Sequence, residues 1–248
     1  MLGSKTEKVK ADALKRKGWG IIPPDQYRID IEKEFFLLWE EVGAYTMTSF
    51  ERGYALYKAV EYVCSHNIPG DFAECGVWRG GSCMLMAKTL LRCKDTERKI
   101  YLYDTFTGMS YPGENDYIAW NGKSVKKKVE EAQIVGNDPF ASWAVGEDEV
   151  ANNLRRTGYK EENLVFVSGD VAETLKHTVP DTIGLLRLDT DWYESTKAEL
   201  EMLFPRLVPG GIIVIDDYGH FTGAKKAVDE YFTEHAVPIF LNRIDYTG

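Results

Sequence analysis

Two apolar runs of strand length each end in acidic residues: Leu185-Leu186-Arg187-Leu188-Asp189-Thr190-Asp191 and Ile212-Ile213-Val214-Ile215-Asp216-Asp217. Neighbouring strands of an open parallel sheet end at one edge, and ligands bind in the crevice outside those carboxyl ends. As neighbours, these strands bring four carboxylates to one place. Such a cluster repels itself unless a proton, a cation or a cationic ligand sits within it. Carboxylate oxygens are hard donors, which favours Mg²⁺ or Ca²⁺ over zinc. Asp189 and Asp191 share a face, because strand side chains alternate with period two. Spacing alone therefore does not separate a metal ligand from a general base.

A second constellation lies earlier in the chain. Glu74-Cys75-Gly76-Val77-Trp78-Arg79-Gly80-Gly81-Ser82 joins a short strand to a helix. Its glycines permit a tight turn and close approach of a ligand, and the helix beginning near Ser82 offers free N–H groups to an anionic group. Neither GxGxxG nor the GxxxxGK[ST] phosphate loop is present. Asp104 ends the next strand, where an acid binds ribose hydroxyls. Ser168-Gly169-Asp170 ends a third and sets a carboxylate against the exocyclic amine of a base. Taken singly, Asp104 is a strand-end cap and Asp170 a helix N-cap. Taken together, they describe a nucleoside with an anionic tail and no phosphate loop, which fits S-adenosylmethionine.

These groups need an alternating scaffold. From Asp71 onward, strands over Asp71–Cys75, Lys99–Asp104, Leu164–Gly169, Ile183–Asp189 and Ile212–Asp216 alternate with helices over Ser82–Arg92, Val171–Lys176, Ser195–Leu207 and Gly223–His235. Pro238–Ile244 reads as a sixth strand. The pattern specifies α/β architecture with a mainly parallel sheet flanked by helices. Residues 1–70 read as an N-terminal helical layer that covers the cofactor or packs against another subunit. It comprises Lys5–Lys17, an extended Pro23-Pro24 connection, Arg28–Val42 and a helix capped by Ser49. Residues 71–248 form the main domain, with a lid insertion at about 108–160 that is too long for a structureless loop. Trp120, Phe140 and Trp143 are its expected apolar lining.

Composition narrows the partners. The 248 residues carry a formal charge of −9, which speaks against non-specific binding to nucleic acid or anionic membrane. No apolar stretch reaches transmembrane length, and the N-terminus is polar and lysine-rich rather than a signal peptide. Cys64, Cys75, Cys83 and Cys93 form no CxxC pair, so a reducing cytoplasm without disulfides is the economical expectation.

The series ExGxxxGGS (74–82), YLYDTF (101–106), SGD (168–170), RLDTDWYEST (187–196) and PGGIIVIDDYG (209–219) resembles the macrocin O-methyltransferase family, which methylates sugar hydroxyls on natural products. The resemblance runs from about Thr46 to Tyr246. It implies a Rossmann-like class I methyltransferase fold using S-adenosylmethionine and Mg²⁺. Carried over, Asp189, Asp216 and Asp217 hold the metal and Asp191 is the general base. Glu74, Gly76, Gly80, Ser82, Asp104, Gly169, Asp170 and Asp189 face the cofactor. Thr46-Met47 and Arg52 match a family segment near the cofactor loosely. The family pattern continues past Gly248 into a final aromatic strand, and the lid sequence follows no part of it. His220 ranks as a second base candidate, and Trp192 and Tyr193 as a floor for the acceptor.

The expected function is Mg²⁺-dependent methyl transfer to a hydroxyl of a glycosylated natural product, in a homo-oligomer. Alternatives are a catechol-like acceptor, a metal-dependent hydrolase whose acids activate water, and a non-catalytic S-adenosylmethionine-binding protein.

Overall fold

The computed structural model describes residues 30–137, 140 and 143–248, together with 16 and 28. The expected Lys5–Lys17 helix, Arg16 apart, and the Pro23-Pro24 connection lie outside the described residues. The chain divides into two compact units, Met1–Leu37 and Leu38–Gly248, and the second carries the whole sheet. Helix α1 (Lys33–Val42) is shorter than the expected Arg28–Val42. Helix α2 (Phe50–Ser65) begins after Ser49, whose hydroxyl accepts the Arg52 N–H at 3.1 Å. It buries Leu56, Val60 and Val63 at helical spacing and packs on helix α3 (Gly81–Cys93). Placed in the N-terminal layer by sequence, α2 thus belongs to the second unit.

The central sheet has the order β5 (Leu164–Ser168), β2 (Ile100–Asp104), β1 (Asp71–Cys75), β6 (Ile183–Leu188), β7 (Leu207–Ile215), with every neighbour parallel. All of β6 is buried, as a strand covered on both faces must be. Helices α6 (Val171–Thr174), α7 (Tyr193–Leu203) and α8 (Thr222–Glu234) follow β5, β6 and β7. Connections leave β1 toward β2 on one side and reach β6 and β7 on the other. The topological switch therefore falls between β1 and β6, which is where such sheets open a ligand crevice.

The lid has structure of its own. A short antiparallel pair, β3 (Tyr117–Ile118) and β4 (Lys123–Ser124), leads into α4 (Val125–Ile134) and then α5 (Glu147–Arg155). Val125 and Val129 pack with Trp192, Phe140 and Phe221. Trp120 does not contribute: it is 71 % exposed, at the tip between β3 and β4.

The expected sixth strand over Pro238–Ile244 is absent; that segment is irregular. Pro238 has no N–H for a ladder, and the chain beyond it turns back on itself. Ile244 N–H donates to Gly248 O at 2.9 Å, and Gly219 N–H to Thr247 O at 2.7 Å. Asp245 ties this turn to the start of α2, accepting from the Ser49 hydroxyl at 2.5 Å and Arg52 Nε at 3.0 Å. Although partial burial raises it, hydrogen bonds from Ser49, Gly248 and Thr247, with the Arg52 charge, hold its carboxyl down at about 2. All four cysteines are free, with Cys75 and Cys83 buried. Among the described residues, no helix is long and apolar enough to cross a membrane.

Gly76 is the residue on which the switch point closes. Its φ is +83°, and a Cβ there would lie 2.0 Å from Asp189 O. Gly76→Ala is expected to destabilise the fold by about 2 kcal/mol or more, read as a lowered midpoint in urea denaturation.

Candidate active site

A cavity of about 330 Å³ opens at the carboxyl ends of β1 and β6, within the usual range for small-molecule sites. The glycine turn supplies Gly76 and Trp78, and the ends of β2 and β5 supply Asp104, Gly169 and Asp170. Met47, Thr48 and Arg52 form a second wall, and Met109 and Trp143 of the lid a third. Asp189, Thr190, Asp191, Asp216, Asp217 and His220 also line it.

Asp104 stitches two strand ends together. Its Oδ2 accepts the N–H groups of Val77 at 2.7 Å and Trp78 at 3.1 Å, and its Oδ1 accepts Phe106 N–H at 2.8 Å. The Thr105 hydroxyl, 3.4 Å from Oδ1, also meets the Gly108 carbonyl and has one proton to give. A carboxylate has about four acceptor sites, so one remains for a ligand hydroxyl. Asp170 caps α6, accepting Ala172 N–H at 2.9 Å, while bordering the cavity.

Three expected cofactor residues stand behind the wall. Glu74 is 1 % exposed and holds Arg187. Gly80 and Ser82 are buried at the start of α3, where the Tyr45–Thr46 backbone covers the first turn: a Cβ on Gly81 would lie 2.5 Å from Tyr45 C. Trp192 and Tyr193 also sit outside the lining. Trp192 is buried against Phe140 and Phe221 with its Nε1 donating to Ser110 O at 2.9 Å. The Tyr193 hydroxyl bonds Glu230 at 2.7 Å. Both are therefore packing under the lid rather than a floor for the acceptor.

The acids divide differently from the expected set. Asp189, Asp191 and Asp217 each offer an oxygen within 4.8 Å of the others. Asp216 continues the inward alternation of Val214 and is buried. There it pairs with Arg187 Nη2 and Arg52 Nη1, and the Thr48 hydroxyl lies 3.3 Å away. The converging triad thus contains Asp191, where the resemblance implied Asp216.

Burial, opposed by Arg187 and reinforced by Asp217, raises the Asp189 carboxyl to about 7. Burial and Asp217 hold Asp191 well above the usual carboxylate range. Three hard oxygen donors that resist joint ionisation fit a divalent cation of the Mg²⁺ or Ca²⁺ kind. Asp191 also has φ +70°, a left-handed conformation that costs about 1–2 kcal/mol.

Arg187 was legible as the one charge inside an apolar strand, yet sequence assigned it no role. Its guanidinium is almost wholly buried, with Nη1 2.5 Å from Glu74 Oε1 and 2.7 Å from Asp189 Oδ2. Glu74 lies directly across from it in the β1–β6 register, and the Cys83 thiol donates to its other oxygen at 2.6 Å. Asp116, also unassigned, anchors the lid: fully buried, it accepts Gly113 N–H at 2.6 Å and Tyr193 N–H at 2.9 Å. His220 lines the cavity with its ring edge-on to Phe221 and Tyr246.

The parallel sheet, its β1–β6 crevice and the glycine turn after β1 define the Rossmann-like fold of class I methyltransferases. The solved O-methyltransferase NovP superposes with TM-score 0.70 at 29 % identity, covering 97 % of this chain and 96 % of that one. The Macrocin-O-methyltransferase (TylF) family model matches residues 38–248, and the chain belongs to that family. Demethyldecarbamoylnovobiocin O-methyltransferase of Streptomyces niveus is 34 % identical over 207 residues, 83 % of this chain and 74 % of the relative. Mycinamicin III 3''-O-methyltransferase of Micromonospora griseorubida is 30 % identical over 206 residues, 83 % of this chain and 77 % of the relative. Membership of an O-methyltransferase family sets the hydrolase alternative aside.

Arg187→Met would leave Glu74 and Asp216 buried with less counter-charge. Its expected cost is about 3–5 kcal/mol in urea denaturation, and Arg187→Met combined with Glu74→Leu is expected to recover part of that loss.

Proposed function

We propose that this protein transfers a methyl group from S-adenosylmethionine to a hydroxyl of a glycosylated natural product, aided by a divalent cation, normally Mg²⁺. The observation that carries the reading is the convergence of Asp189, Asp191 and Asp217 on one cavity in a chain of the Macrocin-O-methyltransferase family. The acceptor class follows the relatives, whose names specify novobiocin, rhamnosyl-tetracenomycin and mycinamicin substrates.

S-adenosylmethionine supplies a sulfonium-activated methyl group. Gly76 leaves room for close approach to the backbone, and Asp104 has one acceptor site for a ribose hydroxyl. Gly169 and Asp170 border the same cavity on the β5 side. Asp189 and Asp217 are the carboxylates available to hold the cation. Bound there, a divalent cation supplies charge that favours ionisation of a hydroxyl, which is otherwise far too weak an acid at neutral pH.

Asp191 is the general base. It lies beside Asp189 and Asp217 at the cavity, and a base must lie within hydrogen-bond reach of the proton it takes. Trp143 and Met109 contribute apolar surface that excludes water from the acceptor side. In-line displacement depends on holding oxygen, methyl and sulfur collinear, and such positioning contributes about 7 kcal/mol or more in well-oriented systems. Oligomerisation through the N-terminal helices belongs to the same proposal.

Calorimetric titration with S-adenosylmethionine and S-adenosylhomocysteine, with and without Mg²⁺, tests the cofactor. Micromolar binding weakened by Asp104→Ala is expected, and no binding under any condition sinks the reading. Asp191→Asn is expected to retain cofactor binding and lose at least about 100-fold in turnover of a glycoside acceptor. Near-normal turnover would remove Asp191 as the base.

A further inference from the structure

The left-handed backbone at Asp191 does not persist unless its surroundings impose it. The preceding residue, Thr190, is held at its carbonyl and its hydroxyl. Its carbonyl accepts Trp192 N–H at 2.8 Å and faces the Ser195 hydroxyl at 3.4 Å. Its own hydroxyl donates to Glu199 Oε1 at 2.7 Å.

Glu199 projects from α7 and is 0 % exposed. Its Oε2 has no hydrogen-bond partner, and among the described residues it forms no ion pair. It is not part of the cavity wall, so no step of methyl transfer touches it. A buried acid with one idle oxygen is costly to keep, and the one polar group it engages lies between two members of the carboxylate triad. Burial pushes its carboxyl up to about 8, and its Oε1 accepts the Thr190 hydroxyl.

We propose that Glu199, acting through Thr190, is a positioning residue that sets the Asp189–Asp191 turn and thereby the spacing of the triad. The inference rests on the triad being a cation site with Asp191 as base, and different results tell its failure from the failure of that reading.

Thr190→Val, Glu199→Leu, the double variant and Glu199→Gln would be titrated with Mn²⁺ alone by calorimetry, a readout that needs no turnover. Melting temperature, kcat and KM would be followed alongside. Partners that orient metal ligands typically contribute about 10–100-fold in affinity or rate. The expectation is therefore at least about 10-fold weaker Mn²⁺ binding and a similar fall in kcat for Thr190→Val and Glu199→Leu. KM for the acceptor is expected to stay nearly constant.

The double variant should be no worse than the weaker single, as for two residues in one network. Glu199→Gln, which keeps an oxygen acceptor, should stay within about 3-fold of the unaltered chain. Unchanged Mn²⁺ affinity in Thr190→Val, or fully additive losses in the double variant, would overturn the inference. Should Glu199→Leu fail to fold, Thr190→Val, isosteric and at the cavity edge, decides alone. Absence of Mn²⁺ binding in the unaltered chain overturns the cation site itself and this inference with it.

Discussion

One buried guanidinium sits under the whole site. Arg187 lies inside a sheet strand buried along its whole length and spans Glu74 of β1, Asp189 at the end of β6 and Asp216 at the end of β7. A charge removed from water is tolerable only when paired and hydrogen-bonded. Here three carboxylates from three adjacent strands meet that condition together. The arrangement cross-links the strand ends and neutralises two acids that would otherwise add to the repulsion in the cavity. With Arg52 as a second cation on Asp216, the acids left to face the cavity are Asp189, Asp191 and Asp217.

Two close approaches then give the crevice its shape. Gly76 passes against the backbone of Asp189, bringing the turn after β1 to the loop that carries the acids. Asp104 gathers the N–H groups of Val77, Trp78 and Phe106, so the ends of β1 and β2 share one organiser. Asp245 does the equivalent at the far wall, joining the C-terminal turn to the start of α2. Asp104 and Asp245 are both acidic residues used as acceptors by backbone or side-chain donors, and each keeps a loop in place beside the cavity.

Much of this was legible in sequence. The period of strands and helices specified the parallel sheet, and the acidic strand ends located the crevice, because β6 and β7 are near-continuous apolar runs ending in paired acids. What sequence left open was direction. Asp216 and Asp217 are adjacent, and only the register of β7 against β6 determines that Asp216 turns inward to Arg187. Pro238–Ile244 has the composition of a strand, yet its missing N–H and the turn closed by Gly248 take it away from the sheet. Trp120 was grouped with Phe140 and Trp143 as an apolar lining, but a two-residue strand pair carries it to the hairpin tip. Glu199 gave no signal at all, since an isolated glutamate on a helix reads as a solvated face.

The lid is fastened by polar contacts at both ends and by a small apolar cluster between them. At its entry, Asp116 holds the first turn of α7, and the Thr222 hydroxyl at the start of α8 donates to Asn115 O at 2.7 Å. At its exit, α5 rests on the glycine turn, with Asn153 donating to Arg79 O at 3.0 Å. The helix between, α4, buries only Val125 and Val129. Such a segment can be exchanged during divergence without disturbing the acids beneath it. The sheet edge that carries the acids and the segment that covers it are thereby separate parts of one chain, joined by a handful of buried contacts.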